Sequence, residues 1–173
     1  ATSTPPPGPT STSAPPTVVP TSTPVTPTNT PTPTTTPVCS VAYDASKENT
    51  MVSLVNQFRA ENGLAAYRVD SRLVAAARVY SVDMACNGAR GHIGSDGSTA
   101  RDRVAAQGYS FTWVGENYYI GWGSWGTPER AFDWWINSEP HLNNILHTRY
   151  TEFGVGYVYY DNRHYWTIDF ARP

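Results

Sequence analysis

The sequence predicts an α+β fold, with helices packed on a central antiparallel sheet. Three observations lead there. Apolar residues recur at helical spacing through the first half of residues 39–173, while aromatic and branched residues alternate through the last part. Gly, Pro and Asn mark the breaks between these segments. The first 38 residues carry 12 of the 15 prolines, 14 Thr and 4 Ser, with no charged and no aromatic residue. Such a tract cannot bury enough surface to offset its ordering entropy, so residues 1–38 are expected to be a disordered Thr/Pro-rich linker or stalk with polyproline-II bias, and residues 39–173 the folded domain.

Each element has its own signal. Met51, Val52, Val55 and Phe58 follow the i, i+3, i+4, i+7 rhythm and Gly63 stands as a stop, which predicts a helix over 49–62. A second helix takes Asp70 or Ser71 as its cap, buries Leu73, Ala76, Ala77, Tyr80 and Met84, and ends before Gly88. A short third helix is expected from Ser98 to Gln107. The fourth starts at Thr127 with Pro128 in the first helical position, and is expected to stop near Ser138 because Pro140 follows. Alternation predicts strands over 109–115, 153–160 and 164–170, the last two joined by a turn at Asp161, Asn162 and Arg163.

All 12 basic and 14 acidic residues, and all 5 Phe, 6 Trp and 11 Tyr, lie beyond residue 38. The aromatics supply a large core, and the net charge of −2 argues against nucleic acid or an anionic membrane as a partner. No apolar run reaches the roughly 18 residues of a membrane-spanning helix. A start inside a Thr/Pro tract fits a mature exported chain or a piece of a longer precursor, found outside the cell or tethered at its surface. Cys39 and Cys86 match no metal spacing and no C-x-x-C motif, leaving a disulfide or two thiols. Export favours the disulfide, which would stabilise the fold by roughly 4 kcal/mol at most.

Residues able to carry chemistry are few. Of four histidines, His92 lies in a glycine-flanked loop and His141 follows Pro140; Glu116 lies at a strand end and Glu139 two residues before His141. His147 and His164 are assigned to the surface and the sheet. Asn117 and Asn144 are read as local hydrogen-bonders, and Trp134 and Trp135 as core. Trp122 and Trp125 occupy a Gly/Ser loop where, if exposed, they could stack on a sugar or hold an apolar ligand.

Several motifs in register carry a resemblance. Gly91-His92, Arg103, Gly108-Tyr109, Gly115-Glu116-Asn117 and Gly121 are followed by Trp135-Ile136-Asn137-Ser138-Glu139-Pro140-His141-Leu142-Asn143-Asn144-Ile145-Leu146. Phe153-Gly154-Val155-Gly156-Tyr157, Tyr165-Trp166 and Phe170 complete the set. Together with Val55-Asn56-Gln57-Phe58-Arg59 and Asn62-Gly63-Leu64, this resembles the bacterial branch of the CAP superfamily (cysteine-rich secretory proteins, antigen 5 and pathogenesis-related proteins) over about residues 49–171. The resemblance implies a three-layer α-β-α sandwich and a surface cavity of His92, Glu116, Glu139 and His141. The segment between Glu139 and His141 is shorter than in the eukaryotic branch, and the eukaryotic cysteine framework is absent.

Two neutral imidazoles suit Zn²⁺ or another divalent cation, with His92 and His141 as ligands and Glu116 and Glu139 orienting them or acting through water. The same set could transfer protons, with Glu116 or Glu139 as the catalytic base of an extracellular hydrolase. No H-E-x-x-H or G-x-S-x-G motif supports hydrolysis. The leading expectation is therefore a binding module for a lipid, another small molecule or a protein, ahead of a metal-dependent hydrolase or a structural surface protein.

Overall fold

In a computed structural model, residues 39–173 are described, and the expected linker at 1–38 lies outside them. The order is α1 (Ala45–Glu61), β1 (Arg68–Val69), α2 (Ser71–Cys86), α3 (Ala100–Ala106), β2 (Trp113–Trp122), a 3₁₀ turn (Gly123–Gly126), α4 (Pro128–Ile136), α5 (Glu139–Ile145), β3 (Glu152–Tyr160) and β4 (Arg163–Arg172). The strands form one sheet in the order β1-β3-β4-β2. β2, β3 and β4 are antiparallel neighbours, and the two-residue β1 adds to β3 in parallel at the far edge. The fold is α+β.

Register decides the layers. Phe153, Val155 and Tyr157 of β3 pair with Phe170, Ile168 and Trp166 of β4, and these six side chains join Met51, Val55, Ala131, Trp135 and Ile145 from α1, α4 and α5 in one core. The alternate positions face α2 and α3: Ala171 packs with Leu73, Ala76 and Val104, while Val158 and Tyr165 pack with Tyr80 and Met84. Helices thus cover both faces of the sheet, which is why β3 is buried from Glu152 through Val158 rather than alternating. Two glycines let α2 settle this close: a Cβ on Gly154 or Gly156 would collide with the α2 backbone at Leu73–Val74 or Ala77–Arg78.

Local chemistry explains where boundaries differ from expectation. α1 starts four residues early because the Asp44 carboxylate accepts from the backbone N–H groups of Ser46 and Lys47. Asp70 rather than Ser71 caps α2, and Thr99 with Asp102 closes a reciprocal capping box that starts α3 later than expected. Pro140 does not stop the chain. It sits in the first turn of α5, where its missing N–H is no loss, and so opens a helix the sequence reading lacked. The strand expected over 109–115 runs instead from Trp113 to Trp122, because Tyr109 is drawn into the core beside Leu73 and Val104. The hairpin turn is two residues, Asp161 and Asn162, both at positive φ (49° and 57°), and Arg163 already belongs to β4.

Cys39 and Cys86 form a disulfide with Cα atoms 5.7 Å apart, pinning the entry of the domain to the end of α2. No helix among the described residues is long and apolar enough to cross a membrane.

Candidate functional site

The site is built around the edge strand β2. Successive residues of a strand point to opposite faces, so Glu116 turns toward α3 while Asn117 turns toward α5. Asn117 Nδ2 donates to the backbone carbonyl of His141 (3.0 Å) and its Oδ1 accepts from Asn144 Nδ2 (2.9 Å). Asn144 Nδ2 also reaches the Glu116 carbonyl (3.3 Å). These amides fasten α5, and with it His141, to the strand that carries Glu116.

His92 is fixed from the other side. Arg90 and Ile93 bridge the loop, and Gly91 takes a positive φ of 74°. Tyr80 Oη donates to the Gly91 carbonyl (2.6 Å), and the Gly91 N–H donates to Tyr118 Oη (3.2 Å). The His92 ring meets Tyr118 edge-on and places Nδ1 2.8 Å from Glu116 Oε1. Glu116 Oε2 accepts from Arg103 Nη2 at 2.5 Å. Glu116 and Arg103 are both buried, whereas the His92 side chain is half exposed. Arg103 also donates to the Ser98 carbonyl (2.8 Å) and stacks over Tyr80. His92 and Glu116 line a cavity of about 340 Å³ with Ile93, Thr99, Ala100, Arg101, Val114 and Gly115.

His141 lies in the first turn of α5, its Nδ1 2.8 Å from Ser138 Oγ and its ring centroid 4.7 Å from Trp134. Burial lowers its pKa, with a smaller contribution in the same direction from His92, so His141 favours the neutral form. Glu139 opens α5 as an exposed first-turn acid; no hydrogen bond or ion pair joins it to His92, Glu116 or His141 among the described residues. No cluster of three or more His, Cys, Asp or Glu poised around a metal is found among those residues.

Three participants had no role in the sequence reading, although Ser138 and Arg103 stand among its motif residues. Ser138 orients His141. Arg103, quoted only as a motif residue, neutralises Glu116. Asp169 is wholly buried opposite Glu116 on β4, with no hydrogen-bond partner on either carboxylate oxygen among the described residues. Burial first, and the Glu116 charge second, push the Asp169 carboxyl well above its usual range, with Arg103 opposing. The one available signal was an acid at an inward position within the apolar run Trp166–Phe170.

The family model described as "CAP: Cysteine-rich secretory protein family" matches residues 52–170. The chain belongs to the cysteine-rich secretory protein family. Two curated Bacillus subtilis relatives are similar to this CAP domain: the uncharacterized protein YkwD, 34% identical over 123 residues, and the uncharacterized membrane protein YlbC, 30% identical over 127 residues. The matches cover 71% and 73% of this chain but 46% and 35% of those proteins, so the chain spans less than half the length of either. An extracellular protein containing a SCP domain from Bacillus anthracis shares 28% identity at a TM-score of 0.66, over 75% of this chain and 41% of that one. An outer surface protein from Borrelia burgdorferi matches at a TM-score of 0.70 and 19% identity, over 78% of this chain and 98% of that one, which shows a shared fold. These matches, like the helices on both sheet faces, agree with the expected CAP-type α-β-α sandwich.

Proposed function

We propose that this CAP domain is an exported binding module whose His92 and His141 together hold a divalent cation or the polar group of a small ligand. The single observation that supports this most is the matching anchorage of the two imidazoles: Nδ1 of His92 rests on Glu116 and Nδ1 of His141 on Ser138, each at 2.8 Å. With Nδ1 donating in both, each ring keeps its lone pair on Nε2, as histidine ligands held by an oxygen partner do. The donor set fits a loosely held cation that completes its shell with water or ligand, because it offers two nitrogens and no third protein ligand. Glu139 would act through water.

The hydrolase reading fares worse. It needs a carboxylate free to take a proton: both oxygens of Glu116 are engaged by His92 and Arg103, which leaves that role to Glu139, an exposed acid that no hydrogen bond ties to either histidine among the described residues. Export is supported by the disulfide, which persists in oxidising compartments, and by the similarity to a protein described as extracellular. In this reading residues 1–38 serve as a tether to a surface or to a neighbouring part of a longer protein. The ligand would be a small amphipathic molecule, since Ile93, Val114 and Ala100 share the cavity wall with His92, Thr99 and Arg101.

Calorimetry with Zn²⁺ tests the reading. One equivalent should bind to the wild-type chain, and His92→Ala or His141→Ala should each remove most of the affinity. Equal affinity in wild type and His92→Ala would overturn the shared site.

A further inference from the structure

A second groove lies at the hairpin end of the sheet, with a volume of about 680 Å³ and a wall of Arg90, Ile120, Trp122, Asp161, Asn162 and Arg163. We infer that it is a binding site for an acidic pyranose sugar. The volume falls within the range of small-molecule sites.

The side chains suit that ligand. Trp122 is 64% exposed, more than any other large apolar side chain among the described residues. It ends β2 and is the cross-strand neighbour of Arg163, so a ladder rather than a loose loop sets its place. An indole, with only two side-chain torsions to order, offers a flat apolar face at small entropic cost, which matches the C–H face of a pyranose ring. Ile120 forms the only other apolar part of the wall and packs into the core beside Met84, Ala89 and Tyr165. Two apolar side chains are too few to cover an acyl chain, so a lipid is a poor occupant.

The remaining four wall residues are polar and complementary to hydroxyls, with guanidinium donors on Arg90 and Arg163 and acceptors on Asp161 and Asn162. Asp161 and Asn162 hold positive φ values in the tight turn, which fixes their backbone at the rim, and Asn162 Oδ1 also accepts from Tyr159 Oη (3.4 Å). Arg90 is partly committed, its Nη1 donating to the Met84 and Ala89 carbonyls. No ion pair engages Arg90, Asp161 or Arg163 among the described residues. Two guanidinium groups therefore face one carboxylate, and the surplus positive charge selects a sugar carrying a carboxylate, which an arginine can grip through two parallel hydrogen bonds.

The experiment is calorimetry of the full chain against trigalacturonate and, as the neutral counterpart, maltotriose, in buffer containing a chelator so that metal bound at the histidines plays no part. Trigalacturonate should bind, and more tightly than maltotriose. Trp122→Ala should weaken it at least tenfold, with Trp122→Tyr restoring part of the loss. Arg163→Ala should erase the preference for the acidic sugar, and Trp113→Ala, exposed at the other end of β2, should leave trigalacturonate binding unchanged. Both Trp122 and Arg163 are exposed, so unchanged melting curves will confirm that the variants fold. The proposal is overturned if trigalacturonate gives no heat at millimolar concentration, if Trp122→Ala binds as the wild type does, or if maltotriose binds equally well.

Discussion

Glu116 and Asp169 stand opposite each other across the β2–β4 ladder, and Arg103 forms an ion pair with only the first of them. The buried site thus holds two carboxyls and one guanidinium, a balance that is neutral when Asp169 keeps its proton. Its raised pKa is in keeping with that state. Between the ordinary carboxylate pKa of about 3.9 and the raised native value, the folded chain binds the proton more tightly than the unfolded chain. Folding stability from this group is therefore full at low pH and is lost as pH rises through that window. Asp169→Asn, which removes the titration and keeps the shape, should raise the melting temperature at pH 7, with the gain shrinking as pH approaches 4. Thermal melts of both proteins across pH 4–8 check this.

Arg103 carries the opposite risk. Replacing it with Met leaves Glu116 buried beside Asp169 without a counter-charge, and breaking a buried pair in this way costs about 3–5 kcal/mol. Urea unfolding at pH 7 should show that loss in the midpoint.

His164 has a different environment from His92. Tyr157 Oη accepts from Lys47 Nζ (3.1 Å) and meets His164 Nδ1 at 2.8 Å, so with Lys47 as the donor the tyrosine donates to a neutral imidazole. Burial lowers the His164 pKa and the Lys47 charge lowers it further; His141 and His147 are lowered as well, chiefly by burial. For a depressed histidine the unfolded chain takes up protons first. Stability from these groups is thus present above the unfolded value of about 6.5 and falls as pH drops below it. In an Asp169→Asn background, which removes the opposing carboxyl, denaturation at pH 7.5 and 5.5 should show a weaker domain at the lower pH, and adding His164→Gln should reduce the difference.

The close approach of α2 to the sheet gives a steric prediction. Gly154→Ala would put a Cβ into the Leu73–Val74 backbone, which unlike a flexible side chain has no easy way to yield. Overpacking of this kind costs about 1–3 kcal/mol. A chemical denaturation curve should show the loss, whereas Gly63→Ala, with no atom near its added Cβ, pays only for its positive φ.

How much of this was legible in the sequence depended on whether the signal was local. The Thr127-Pro128 start of α4 and the β3–β4 hairpin were readable because caps, tight turns and alternation are written in consecutive residues. α5 was not, because proline ends a helix or begins one according to what precedes it, and only the placement of Ser138 resolved which. β2 was misjudged at Gly115-Glu116-Asn117, where the strand was expected to end and instead runs on to Trp122, with Gly115 leaving no room for a Cβ beside the Tyr150 hydroxyl. His92 and Glu116 stood out by their loop and strand-end settings, and only the family resemblance grouped them in one cavity; the 2.8 Å between them follows from how the His92 loop meets β2. Asp169 and Arg103 depend on the β2–β4 register and on the docking of α3, which no short pattern encodes.

The central claim is that His92 and His141 present Nε2 to one shared cation, and nitrogen-15 NMR of the histidine rings during a Zn²⁺ titration addresses it most directly. Before metal, both rings should show the neutral tautomer with the proton on Nδ1. As Zn²⁺ is added, the Nε2 signals of His92 and His141 should shift together and saturate at one equivalent, while His147 and His164 stay in place. Movement of only one of the two rings, or a proton found on Nε2 in either, would contradict the account.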